Sequence, residues 1–254
     1  MKNNHMPTES SLILRGGEPT PVYYKLQNLI KQDIENGNFH PGDPIPSERV
    51  LAETYDLSTG TVKRAVMNLV NEGYLYRIQG KGTFVAGTAL KKESLRYYRY
   101  LSHFGDKEAE MTIKFLGLNQ VPATEPLNVH LKVEKGAALY EIKRVFYLEH
   151  RPCLYSVSYL PGGLFPHLEE FPVSRFEKIT LYLALEESYG LPTLSNHELF
   201  GTIPLEQEAA AALEAEVGSI VLYIEMLSLT YKETPYEFRK SYCLTDERRI
   251  YRKI

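Results

Sequence analysis

Cys153 has His150 and His167 within reach along the chain, the one thiol and imidazole grouping that could support nucleophilic catalysis. No activating motif surrounds it, and an apolar core cysteine is the commoner outcome. His197-Glu198 lacks the second histidine of a zinc-binding H-E-x-x-H, and Cys153 and Cys243 form no C-x-x-C, so neither a metal nor a cofactor is expected. A different chemistry is better supplied. Arg49, Lys63, Arg64 and Lys81 are spaced among Ser58, Thr59, Gly60, Thr61 and Gly80. Cations bind phosphate oxygens, hydroxyls and methyls meet base edges, and glycine admits a close backbone. Together these groups suit double-stranded DNA.

They can act together only if helices and a turn hold them on one face. Tyr23 to Asn36 places Leu26, Leu29, Ile30 and Ile34 on one apolar helical side, and Gly37 ends it. Pro41, Gly42 and Pro44 then force a reversal without helix. Ser47 is an N-cap for a helix through Tyr55, with Arg49 near its start. After a turn at Asp56-Leu57, Ser58 caps a second helix whose buried stripe is predicted as Val62, Val66, Leu69 and Val70. Lys63 and Arg64 fall on its other side. Gly73 closes that helix, Tyr74 to Ile78 alternates as a strand, and Gly80-Lys81-Gly82 turns the chain into Thr83-Phe84-Val85. The layout is a winged helix-turn-helix, whose second helix enters the major groove by its N-terminal part. Gly80-Lys81-Gly82 opens no helix, so it is not a nucleotide-phosphate loop.

A chain of 254 residues with 43% hydrophobic and 24% charged residues fits two ordinary domains. The formal charge is −3, and residues 20 to 90 carry seven basic and seven acidic side chains. Attraction for phosphate must therefore come from clustering on one face. No apolar run approaches a membrane span and residues 1–17 lack a signal-peptide core, so a cytoplasmic protein with no membrane partner is expected. The divisions expected are a disordered tail at 1–19, the winged domain at 20–86, a linker at 87–95 and a second domain at 96–254.

In the second domain, runs rich in Ile, Val, Tyr and Leu span Met111 to Leu118, Ala138 to Leu148, Leu154 to Leu160, Leu194 to Ile203, Ile220 to Tyr231 and Tyr236 to Leu244. Helical patterns occupy Phe176 to Tyr189 and Leu205 to Leu213. Mostly adjacent strands with helices set apart predict an α+β domain, an antiparallel or mixed sheet with packed helices. Polar groups on alternating strands could converge in a small-molecule pocket between sheet and helices. An enzyme acting on that small molecule is the alternative reading.

From Pro21 to Val85 the chain resembles the DNA-binding domain of GntR-family regulators. The motifs are Pro21, Tyr24 and Gln27 in the first helix, P-G-D-x-I-P-S-E-R at Pro41 to Arg49, L-V-N-E-G at Leu69 to Gly73, and G-K-G-T-F-V at Gly80 to Val85. Later stretches resemble the UTRA domain of the HutC-like branch: Lys143 to Tyr147, Ser158-Tyr159-Leu160-Pro161, Glu187 to Leu191, and Pro235-Tyr236-Glu237 through Ser241-Tyr242. The resemblance implies a chorismate-lyase-like sheet and a homodimer on palindromic operator DNA; a repressor released by a small-molecule effector is expected, although activation has the same sequence footprint. The resemblance carries DNA contact to Arg49, Lys63 and Gly80. Where the family commonly has an arginine after the capping serine, this chain has Thr59, so its operator is expected to differ.

The resemblance further implies an effector pocket drawn from Ser102, Arg144, Ser156, Tyr159, Glu237 and Tyr242. Arg144 could instead pair with a surface carboxylate, and Tyr159 could simply pack. Phe146 replaces the second arginine of the family's R-x-R, Ser156 a carboxylate, and Cys243 a tyrosine. Each exchange removes a group suited to phosphate or sugar hydroxyls, so an effector less charged or more apolar than an amino-sugar phosphate is expected.

Overall fold

The computed structural model of the chain describes residues 20–87, 99–101, 103, 111–177, 181–245 and 249–251. The chain divides into two compact units after Leu90. In the first, α1 (Val22–Glu35) buries Leu26, Gln27, Ile30 and Ile34. Gly37, at φ 77°, lets the chain leave it. α2 (Glu48–Tyr55) starts at Ser47, whose Oγ accepts from the Val50 N–H at 3.3 Å. α3 (Thr59–Asn71) starts at Ser58, whose Oγ accepts from the Thr61 N–H at 3.1 Å. Its buried stripe is Val62, Ala65, Val66 and Leu69. Val70 is half-buried because the stripe is centred nearer Ala65.

Gln27 is a buried polar link that the apolar pattern did not announce. Its Nε2 donates to Glu72 Oε1, and Asn68 Nδ2 donates to its Oε1 at 3.1 Å, tying α1 to α3. β1 (Leu75–Ile78) and β2 (Gly82–Val85) form the antiparallel hairpin, Leu75 opposite Val85. The proline-rich reversal adds a third edge to it. Val85 N–H donates to Asp43 O at 2.9 Å and Ile45 N–H to Thr83 O at 3.0 Å. Removing a helix cap costs about 1 kcal/mol. Ser58→Ala is therefore expected to lower stability by about that amount in urea denaturation of the full chain.

The second unit opens with β3 (Arg99–Leu101), which pairs antiparallel with the late β10 (Arg249–Tyr251). Its main sheet contains β4 (Met111–Pro122), β5 (Ala138–Leu148), β6 (Arg151–Pro161), β7 (Ser195–Pro204), β8 (Ile220–Leu229) and β9 (Pro235–Cys243). The order is β4-β5-β6-β9-β8-β7, and every pairing is antiparallel. The helices are α4 (Leu127–His130), α5 (Val173–Phe176), α6 (Leu181–Tyr189) and α7 (Gln207–Leu213). The α+β expectation thus holds. The pattern read as one helix from Phe176 divides, with α5 ending at Phe176 and α6 beginning at Leu181.

Residues opposite one another in an antiparallel ladder send side chains to the same side, and sides alternate along a strand. One face carries Tyr140, Ile142, Leu160 and Met226 beneath Leu181, Tyr182 and Leu185 of α6. The other carries Val145, Tyr155, Val157 and Val221 beneath Ala209, Ala210 and Leu213 of α7. Each helix covers a different set of alternating residues, and this decides what can meet.

Candidate functional site

In the first unit the predicted DNA-reading residues come to two helix starts and one turn. Arg49, the second residue of α2, is 76% exposed and pairs with Glu53 one turn on at 2.9 Å. An ion pair in water contributes little, so Glu53 holds Arg49 only weakly. Thr59, Gly60, Lys63 and Arg64 are exposed on α3. Gly80 and Lys81 are exposed between β1 and β2, with φ at 75° for Gly80. The Ser58 and Thr61 hydroxyls bond each other at 2.8 Å, so both serve the cap of α3, and Thr59 presents its side chain outward.

Two features of this face were missed in the sequence. The Arg64 guanidinium lies over the Tyr23 ring of α1, 4.0 Å from Cζ to the centroid, which steadies a cation without cancelling its charge. Arg77 on β1 pairs with Glu48, fastening the hairpin to the start of the helix that bears Arg49. An exposed arginine on a short strand carries no signal of its partner.

In the second unit, the sequence-predicted pocket residues separate. Ser102 lies outside the described residues. Arg144 on β5 stands opposite Ser156 on β6, which stands opposite Ser241 on β9, so all three point to the α6 side. Glu237 lies on that side too. Tyr159 and Tyr242 point the other way: Tyr159 stands opposite Glu141 and Phe238, Tyr242 opposite Tyr155 and Tyr223. The two tyrosines therefore do not join Arg144, Ser156 and Glu237 in one pocket. The reason is parity, since Tyr159 is an odd number of residues from Ser156, and Tyr242 from Glu237.

On the α7 side, Tyr155 OH donates to Glu208 Oε1 at 2.7 Å, and Lys143 Nζ bonds the same carboxylate. The bond to Lys143, then that to Tyr155, holds the Glu208 carboxyl below its ordinary range. Burial pushes the Tyr155, Tyr159 and Tyr242 hydroxyls up, so they remain protonated donors.

The α6 side holds the more consequential arrangement. Arg144 is 0% exposed, and its Nε, Nη1 and Nη2 have no hydrogen-bond partner among the described residues. The Phe146 ring lies 5.2 Å from its Cζ. Ser156 Oγ beside it is also buried and unpartnered. Glu237, by contrast, is committed. Its Oε1 accepts from Arg239 Nε at 2.8 Å and lies 2.7 Å from Arg239 Nη2, while its Oε2 accepts from Ser228 Oγ at 3.4 Å. Arg239 also donates to Ser158 Oγ at 3.2 Å and lies over the Tyr182 ring. Glu237 and Arg239 are two residues apart on one strand, hence on one face. That spacing was the sequence signal for Arg239.

A winged helix-turn-helix followed by an antiparallel sheet with packed helices has clear relatives. Residues 22–85 match the model for bacterial regulatory proteins of the gntR family, and residues 106–249, more than half of the chain, match the UTRA domain. The chain is a GntR-family transcriptional regulator with a UTRA domain. This regulator is 29% identical over 223 residues to the HTH-type transcriptional regulator YurK of Bacillus subtilis (strain 168), covering 88% of this chain and 91% of YurK. The HTH-type transcriptional repressor NagR of the same strain is 28% identical over 223 residues, 88% of this chain and 90% of NagR. The crystal structure of PhnF from Mycobacterium smegmatis shares the fold, with a TM-score of 0.53, 21% identity, and coverage of 90% of this chain and 98% of PhnF.

Membership resolves the enzyme alternative: the regulator is a metabolite-responsive DNA-binding protein, not an enzyme. Cys153 is a core residue whose Sγ donates to Phe146 O at 3.4 Å, while His150 and His167 are exposed. Burial pushes the Cys243 thiol up to about 12. Among the described residues, no helix is long and apolar enough to cross a membrane.

Proposed function

We propose that the regulator is a homodimeric repressor, active in the cytoplasm, that leaves a palindromic operator when an anionic metabolite binds beside Arg144. The observation that carries the effector half is the buried Arg144 guanidinium, which has no hydrogen-bond partner among the described residues. A guanidinium keeps its charge in a protein, and burying it unpaired costs several kcal/mol. An incoming anion removes that cost, so this is where binding free energy concentrates. An anion beside Arg144 is compatible with an effector less charged than an amino-sugar phosphate, since Phe146 in place of a second arginine leaves one guanidinium to be matched.

The DNA half rests on Arg49, Lys63, Arg64 and Lys81, exposed beside the starts of α2 and α3 and at the hairpin turn. A single head meets only a half-site, so two are needed on a two-fold axis. The proposed division places the DNA-reading domain at 20–86, a linker at 87–95 and the sensing domain at 96–254. Repression is the sign named for NagR, the relative 28% identical to this chain. Effector binding changes DNA affinity only if it favours one arrangement of the two heads over another.

Fluorescence anisotropy with DNA from upstream of the regulator's own gene, at two salt concentrations, tests this reading. Arg49→Ala is expected to weaken binding about tenfold or more on any sequence and to flatten the salt slope by about one phosphate contact. Unchanged binding by the folded variant would remove Arg49 from the interface. At Gly60, a methyl would meet only Ser58 Oγ at 3.8 Å, and alanine favours helix by about 1 kcal/mol. Gly60→Ala is expected to fold at least as stably yet bind the operator more weakly. Equal affinity would show that the glycine is not used for close approach.

A further inference from the structure

The buried charges on the α6 side of the UTRA sheet define the class of effector, given that the effector binds at Arg144. Among the described residues, the buried ones that carry formal charge are Arg144, Arg239 and Glu237. Arg239 and Glu237 neutralise one another through contacts of 2.7 and 2.8 Å. Among the buried described residues, what remains is a single positive charge on Arg144, whose three nitrogens have no hydrogen-bond partner among the described residues. Two residues further along β5, on the same face, stands Phe146 rather than a second cation.

We infer that the effector is a small monocarboxylate bearing hydroxyl groups and no cationic group. One carboxylate matches the single residual charge, and its two oxygens match the fork of the guanidinium. A phosphate monoester carries about −1.5 to −2 at neutral pH, so it would leave surplus negative charge in a buried site. A zwitterionic amino acid fails on the other side. Its ammonium would need a carboxylate, and the buried Glu237 is already held by Arg239 and Ser228. The Ser156 hydroxyl, buried and unpartnered across the ladder from Arg144, suits either a carboxylate oxygen or a neighbouring hydroxyl of the ligand. Ser241, buried on the next strand in the same row, extends that polar floor.

The test is thermal melting of the full chain at constant ionic strength with acetate, lactate, gluconate and glucuronate, against inorganic phosphate, glucose 6-phosphate, glucosamine 6-phosphate and serine. The wild type and Arg144→Gln are compared. At roughly a hundred times Kd, a hydroxylated carboxylate is expected to raise the melting temperature by about 5 °C or more, and Arg144→Gln to lose the shift. Stabilisation confined to the phosphates, with loss in Arg144→Gln, would overturn the carboxylate assignment while leaving Arg144 as the anion site. A shift from serine alone would also overturn it. No shift from any carboxylate, or the same shift in Arg144→Gln, would overturn the assignment and remove its basis in Arg144.

Discussion

Glu237→Ala is expected to destabilise the UTRA unit by about 3–5 kcal/mol, the cost of removing one partner from a buried ion pair. Glu237 is 0% exposed and Arg239 is 5% exposed, so water cannot take over when the carboxylate is lost. Arg239 would keep Ser158 and the face of Tyr182, neither of which carries a compensating charge. Ser228 would lose its acceptor as well. The double variant Glu237→Leu/Arg239→Met separates charge from packing. Because a well-packed apolar pair often matches or exceeds a buried ion pair, the double variant is expected to regain most of the loss. Urea denaturation followed by near-ultraviolet circular dichroism reads both. A single variant within about 1 kcal/mol of wild type would mean that Arg239 finds another anion.

The same pair marks where the sequence was legible and where it was not. The two capped helices, the hairpin and the six main strands follow from local features: a serine before a periodic apolar run, a glycine at positive φ, an alternation of Val, Ile and Tyr. α4, β3 and β10 are three or four residues long, too short for a period to register. At the candidate site, Arg144 and Ser156 were found by resemblance, and the ladder places them opposite each other. Tyr159 and Tyr242 were grouped with them although strand parity sends them to the α7 side. Parity was available in the sequence for residues of one strand. What was not available is which strand neighbours which, since β6 pairs with β9 although Leu154 and its partner Cys243 lie far apart in the chain. The commitment of Glu237 to Arg239, rather than to a ligand, depends on rotamers that only the packed structure sets.

Arg144→Met is expected to have the opposite stability effect from Glu237→Ala and the larger functional one. In the ligand-free protein Arg144 is a buried cation that no described residue neutralises. Methionine removes that charge, keeps an unbranched stem, and can pack on Phe146 and Phe115, which flank position 144 on β5 and β4. By analogy with buried ionic groups replaced by apolar ones, the free variant should gain about 1–4 kcal/mol and melt several degrees higher. It should also fail to gain stability from any anion that stabilises the wild type. The domain would then be locked in its ligand-free arrangement, because an effector with no differential affinity shifts no equilibrium. On DNA, the variant should bind the operator as tightly as the wild type and stay bound at metabolite concentrations that release the wild type. Thermal melting and operator anisotropy on the same sample decide the matter. A lower melting temperature for the free variant would mean that Arg144 supports the fold and is not a charge held in reserve for an anion. Release from DNA at the wild-type metabolite concentration would move the sensing site away from Arg144.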